Sequence, residues 1–133
     1  MLYPARPRIK LRLTPFDKTV EIIGWGIVIA MWCIVVLNYS KLPDIIPVHY
    51  NSAGKVDDYG DKSKIWVLLI IGSVIYTGMF FLSKKPHLFS YPTKITENNA
   101  FNQYSIATKL FRYINLIIIL ITAYLIVQTI TIT

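Results

Sequence analysis

The chain has 133 residues, enough for one modest domain, yet 54% of them are hydrophobic, which excludes the composition of an ordinary soluble core. Its one cysteine, Cys33, excludes an internal disulfide or a cysteine metal cluster. The formal charge of +7 would suit nucleic acid or an anionic membrane, and where the charges sit separates the two.

Residues 1–19 form a basic tail with Arg6, Arg8, Lys10, Arg12 and Lys18. The alternation Arg8-Ile9-Lys10-Leu11-Arg12-Leu13 predicts either a short strand or an arm that faces lipid headgroups, and basic residues interleaved with Ile and Leu suit anionic lipid better than a nucleic-acid groove. Thr14-Pro15-Phe16-Asp17 predicts a helix start, with proline in the first turn and Asp17 at the positive end of the helix dipole. A first transmembrane helix is expected over 20–39, uncleaved, around the uncharged run Ile22 to Leu37. Gly26 and Ala30 form a small-xxx-small pair, which either admits a neighbouring helix or arises by chance. Trp25 and Trp32, seven apart, read as packing residues or lipid-facing anchors.

Residues 40–63 form a polar, turn-rich loop, LPDIIPVHYNSAGKVDDYGDK from Leu42 to Lys62. Pro43 and Pro47 prevent either helix from running through it. Val48 and Tyr50 alternate with His49 and Asn51, Asn51 to Gly54 carries turn chemistry, and Val56 to Tyr59 returns, which predicts a small β-hairpin. Strand periodicity puts His49 and Asn51 on one face with Asp57 or Asp58 opposite. This is the one concentration of chemically capable groups, and it yields the candidate binding residues Asp44, His49, Asn51, Asp57 and Asp58. His49 with Asp57 is also a candidate pair of divalent-metal ligands, set against a structural role in which the Asx and His side chains brace the turn. No nucleophile stands in a recognisable motif beside His49, so no enzyme is expected.

A second transmembrane helix is expected over 64–83, where Ser73 and Thr77 read as packing positions bonded back to their own backbone. In the loop 84–112, Ala100, Tyr104, Ala107, Phe111 and Ile114 recur at helical spacing, which predicts an amphipathic helix capped by Thr96 and lying against the membrane surface or under the bundle. A third transmembrane helix follows over 113–132. The expected fold is therefore an all-α integral membrane protein: three transmembrane helices, an extracytoplasmic β-hairpin loop and a cytoplasmic amphipathic helix.

Two segments, the loop string above and YPTKITENNAFNQY from Tyr91 to Tyr104, carry a resemblance. The loop follows the pattern LPD-x-IP-x-H-x-N-x-x-G-x-x-D-x-x-x-x-K through Leu42, Pro43, Asp44, Ile46, Pro47, His49, Asn51, Gly54, Asp57 and Lys62. It resembles the N-terminal module of unknown function in bacterial SdpI-type membrane proteins, in a stand-alone three-span form. The resemblance implies a bacterial inner-membrane protein with an immunity-like or signalling role against a secreted toxin.

Lys and Arg number ten in the tail and second loop and four in the first loop, so the positive-inside rule puts the N-terminus in the cytoplasm and the C-terminus outside it. The first loop is neutral and the excess positive charge is cytoplasmic, which favours anionic lipid there and no nucleic acid. The runs Ile22–Leu37, Ile65–Leu82 and Tyr113–Thr133 hold no charged side chain, which leaves no ion path within one chain. A binding, sensory or immunity-like accessory protein that uses its extracytoplasmic loop is the expected function. It would act on a protein or peptide partner or as a homo-oligomer. The alternative is a metal- or ligand-binding subunit of a transporter or enzyme complex.

Overall fold

The computed structural model describes residues 5–133, in the order α1 (Pro15–Asn38), β1 (Ile45–Tyr50), β2 (Val56–Asp61), α2 (Lys64–Leu82) and α3 (Ala100–Ile132). The first four residues of the expected basic tail lie outside the described residues. All three helices are long and apolar enough to cross a membrane, and a two-stranded antiparallel sheet joins the first two.

α1 begins at Pro15, five residues ahead of the expected span. A reciprocal cap explains this. Asp17 N–H donates to Thr14 Oγ1 at 3.1 Å and Thr14 N–H donates to Asp17 Oδ2 at 2.9 Å, so two donors that would otherwise lack partners at the helix start are satisfied. The helix then extends for about 36 Å at 1.5 Å per residue, enough for a hydrocarbon core of about 30 Å.

α3 departs further from expectation. The amphipathic segment and the third span are one uninterrupted helix of 33 residues, because no Gly or Pro stands between Ala100 and Ile132 to break it. At about 50 Å it exceeds the hydrocarbon thickness by about 20 Å, so its first third projects past the ends of α1 and α2. Thr96 is not the cap of this helix. It exchanges hydrogen bonds with Asn99, 2.8 Å from Thr96 N to Asn99 Oδ1 and 3.3 Å from Asn99 N to Thr96 Oγ1, in the turn that leads into Ala100.

α3 is the centre of the bundle, packed along both α1 and α2, which touch each other less. Its buried stripe starts at Ala100 and Tyr104 as expected but continues through Thr108, Arg112 and Asn115, while Ile114 is exposed. Between α1 and α2, the Trp25 ring sets its edge against Tyr76 and Phe80 at 5.0 and 5.3 Å. Trp32 Nε1 donates to Ser73 Oγ at 2.9 Å while that hydroxyl donates back to Leu69 O at 2.7 Å. Both tryptophans therefore serve the helix interface. Gly26 and Ala30 face away from it, and a Cβ added at Gly26 would meet nothing within 4 Å. The close approaches are at Gly24, against Tyr76, and Gly72, against Thr122.

Residues 5–14 run extended without a strand partner along the projecting part of α3. Ile9 and Leu11 pack on Ile95, Ala100 and Tyr104, and Tyr104 Oη donates to Pro7 O at 2.8 Å. Arg8, Lys10 and Arg12 are exposed on the other side, as a two-residue period requires. Tyr91 closes this small core. Its hydroxyl donates to Pro86 O at 2.6 Å, and burial first, then neighbouring Tyr104, push the phenol up to about 12, against a smaller opposing pull from Arg6. An unfolded phenol ionises near pH ~10, so the stabilisation from Tyr91 is complete below that pH and is lost as pH rises through 12. Protease sensitivity of the arm should rise across this window, and Tyr91→Phe should remove the rise. An unchanged alkaline profile in the variant would dissociate Tyr91 from arm docking.

Candidate functional site

The hairpin is fixed to the bundle by one face. Leu42 and Ile46 are buried in the main core with Val35, Ile65 and Leu69, and Val48 packs on its edge. Thr129 donates its hydroxyl to Leu125 O at 2.8 Å, which leaves its oxygen to accept from Tyr50 Oη at 3.2 Å. Lys62 Nζ stands 4.7 Å above the Tyr39 ring, which itself meets Trp66 at 5.2 Å. The loop thus sits as a cap on one end of the helices.

Two irregularities in the ladder determine what the other face presents. Pro47 pairs with Tyr59 and His49 with Asp58, so Val48 is an extra residue on β1; Tyr50 then pairs with Val56, so Asp57 is extra on β2. Bulges of this kind re-aim side chains. Asp57, rather than the facing Asp58, reaches His49, with Nδ1–H donating to Oδ1 at 2.5 Å. Both side chains are accessible, at 66% and 40%.

The remaining sequence candidates do local work. Asn51 lies past the end of β1 and not beside His49: its Oδ1 accepts from Ala53 N and Lys55 N at 2.9 and 3.0 Å, closing the turn in which Gly54 has φ +77°. Asp58 accepts from the N–H of Tyr59 at 2.9 Å. Asp44 takes part through its main chain, its carbonyl accepting from Lys62 N at 2.9 Å. The loop therefore brings together His49 and Asp57; Asp58 faces His49 in the ladder but bonds to its own strand, and Asp44 and Asn51 bond elsewhere.

Among the described residues no group of three His, Cys, Asp or Glu could hold a metal ion, and a structural zinc site uses four ligands. Chelation with EDTA should therefore leave the melting temperature of the purified protein unchanged, and elemental analysis should find well under one equivalent of divalent metal. About one equivalent in the wild type that disappears in His49→Ala would overturn this.

A second constellation, at the opposite end of the bundle, was not anticipated from sequence. Arg112 on α3 reaches α1 twice, Nε to Glu21 Oε1 at 3.1 Å and Nη1 to Asp17 Oδ1 at 3.4 Å. Lys84, just past α2, donates to the same Glu21 oxygen at 2.7 Å. One turn above, Asn115 Nδ2 donates to Tyr76 O at 3.1 Å and Tyr76 Oη to Glu21 O at 3.3 Å. Two acids and two bases from three elements thus form one network. The sequence carried a signal for it: Asp17 and Glu21 are four apart on one helical face, and Thr108, Arg112 and Asn115 prolong the 100/104 stripe.

Residues 26–73, which contain most of α1, the whole hairpin and the first half of α2, match a family model described as a domain of unknown function, DUF1648. The chain is also similar to an uncharacterized protein of Archaeoglobus fulgidus, 26% identical over 62 residues that make up 47% of this chain and 34% of that protein. It thus spans about a third of that relative's length. No solved structure matches.

Proposed function

We propose that this chain is a multi-pass inner-membrane protein whose hairpin, on the extracytoplasmic side, recognises a protein or peptide in a sensory or immunity-like accessory role. The single observation that carries this reading is the division of labour in the hairpin. One face is consumed in seating it on the bundle, while the His49–Asp57 pair and Tyr59 stay accessible. An exposed aromatic ring and an accessible hydrogen-bonded His–Asp pair on one hairpin are a composition suited to a binding surface. The distribution of Lys and Arg supports the orientation, and the resemblance of the loop to SdpI-type proteins supports the role.

The test is site-specific photo-crosslinking in living cells, with the probe at Asp58 and, separately, at Lys94. A discrete adduct from Asp58 that is lost in His49→Ala, with expression unchanged, is the expected result. The same ladder from both probe positions, or an adduct indifferent to His49→Ala, would discard the hairpin as the recognition surface.

A further inference from the structure

At the end of the bundle away from the hairpin lies a half-open groove of about 1550 Å³. It is larger than the roughly 300–1,000 Å³ of a typical small-molecule pocket. Its walls are the extended arm, the first turn of α1, the turn after α2 from Ser83 to His87 and the first part of α3 from Phe101 to Arg112. Arg112 and Lys84 reach it but are already paired with acids. Arg8, Lys10, Arg12, Lys18 and Lys109 line it with no ion-pair partner among the described residues. The one acid on its walls, Asp17, is buried and held by Arg112 and Thr14.

We infer that this groove is a binding site for the headgroup of an anionic phospholipid that carries two phosphates. Three observations point there. Unpaired cations with no free acid among them call for an anion, and basic pockets beside membrane-spanning helices are suited to polyanionic headgroups. Arg8, Lys10 and Arg12 share one side of an extended arm, so at about 3.3 Å per residue they spread over roughly 13 Å, more than one phosphate covers. Alongside the cations the groove has apolar lining: Phe101, 60% exposed, from α3, and Ile9 and Leu11 on the face of the arm that packs on α3. The surface continues into apolar helices long enough to cross a membrane. A free phosphate needs the cations alone; a lipid uses the cations and the apolar strip together. The inference is independent of any role of the hairpin.

The experiment uses the full chain in neutral detergent, with bound lipid counted by native mass spectrometry. The probes are cardiolipin, phosphatidylglycerol, phosphatidylcholine and inorganic pyrophosphate. One cardiolipin per chain is expected, held at least about tenfold more tightly than phosphatidylglycerol, weakening as salt rises. The variant Arg8→Gln/Lys10→Gln/Arg12→Gln should lose about tenfold or more of that affinity with its helical circular dichroism unchanged, since these side chains are exposed. A variant with equal charge removed at the hairpin end, Lys41→Gln/Lys55→Gln/Lys64→Gln, should retain it. Wild-type binding by the arm variant, an equal loss in the hairpin-end variant, or equal retention of phosphatidylglycerol would overturn the inference. So would pyrophosphate binding that depends on the arm while cardiolipin binding does not.

Discussion

Arg112→Ala should destabilise the folded bundle by about 3–5 kcal/mol, the range seen when one member of a buried ion network is removed. The Arg112 and Asp17 side chains are 6% and 5% exposed, so the substitution strands Asp17 without a cation and leaves Glu21 with Lys84 alone. The loss is larger than the attraction in any one contact because the penalty falls on carboxylates that stay buried. Arg112→Lys should recover only part of it, since a single ammonium cannot reach Glu21 and Asp17 in two directions as Nε and Nη1 do. Neutralising all three in Asp17→Asn/Glu21→Gln/Arg112→Met should be milder than Arg112→Ala alone, because no charge is stranded and asparagine still caps the helix. Denaturant unfolding in detergent micelles, followed by circular dichroism, measures all of these. A cost under about 1 kcal/mol for Arg112→Ala would put the network in the class of exposed ion pairs.

Gly24→Ala should also destabilise, although in a helix alanine is favoured over glycine by about 1 kcal/mol. A Cβ at Gly24 would lie 2.0 Å from the Tyr76 hydroxyl oxygen and 2.6 and 2.8 Å from two ring carbons. The ring has nowhere to go: it is buried, flanked edge-on by Trp25, and its hydroxyl donates to Glu21 O. α1 and α2 must separate, and overpacking of this kind costs typically ~1–3 kcal/mol, more than the propensity gain. Gly24→Ala combined with Tyr76→Leu should cost less than the sum of the two single changes, because the clash is their shared term. Gly26→Ala is the control. Nothing lies within 4 Å of its added Cβ, so the same readout should show no loss; equal losses at Gly24 and Gly26 would locate the effect in helix flexibility instead of the Tyr76 contact.

The three apolar helices, the hairpin and the helix start at Thr14-Pro15 were legible in the sequence because each follows from a local rule: an uncharged run, alternation around a turn, a proline in the first turn. The network at Asp17, Glu21 and Arg112 was not, since the first and third spans drawn as uncharged runs begin one residue after Glu21 and one residue after Arg112. The stripe on α3 was read by apolarity, which selects Ala107, Phe111 and Ile114. On a helix apolar enough to cross a membrane that criterion inverts: the outward face is the most apolar, with Ile114, Ile117 and Ile121 exposed, and Thr108, Arg112 and Asn115 turn inward. The small pair at Gly26 and Ala30 misled for a related reason, because small residues permit close approach without requiring it. In the hairpin, alternation implied that His49 and Asn51 share a face, but β1 ends at Tyr50 and two bulges hand Asp57 to His49.

The central position of α3 has a consequence for biogenesis. Chains are made from the N-terminus, so α1 and α2 are complete before α3 exists. Until then they have little surface to share, and Asp17 lacks the Arg112 guanidinium that lies almost a hundred residues downstream. Assembly is therefore finished by its last-made part. A nascent chain halted after α2 has Asp17 without Arg112 and Gly72 without Thr122, so the buried contacts of both are made only when α3 arrives.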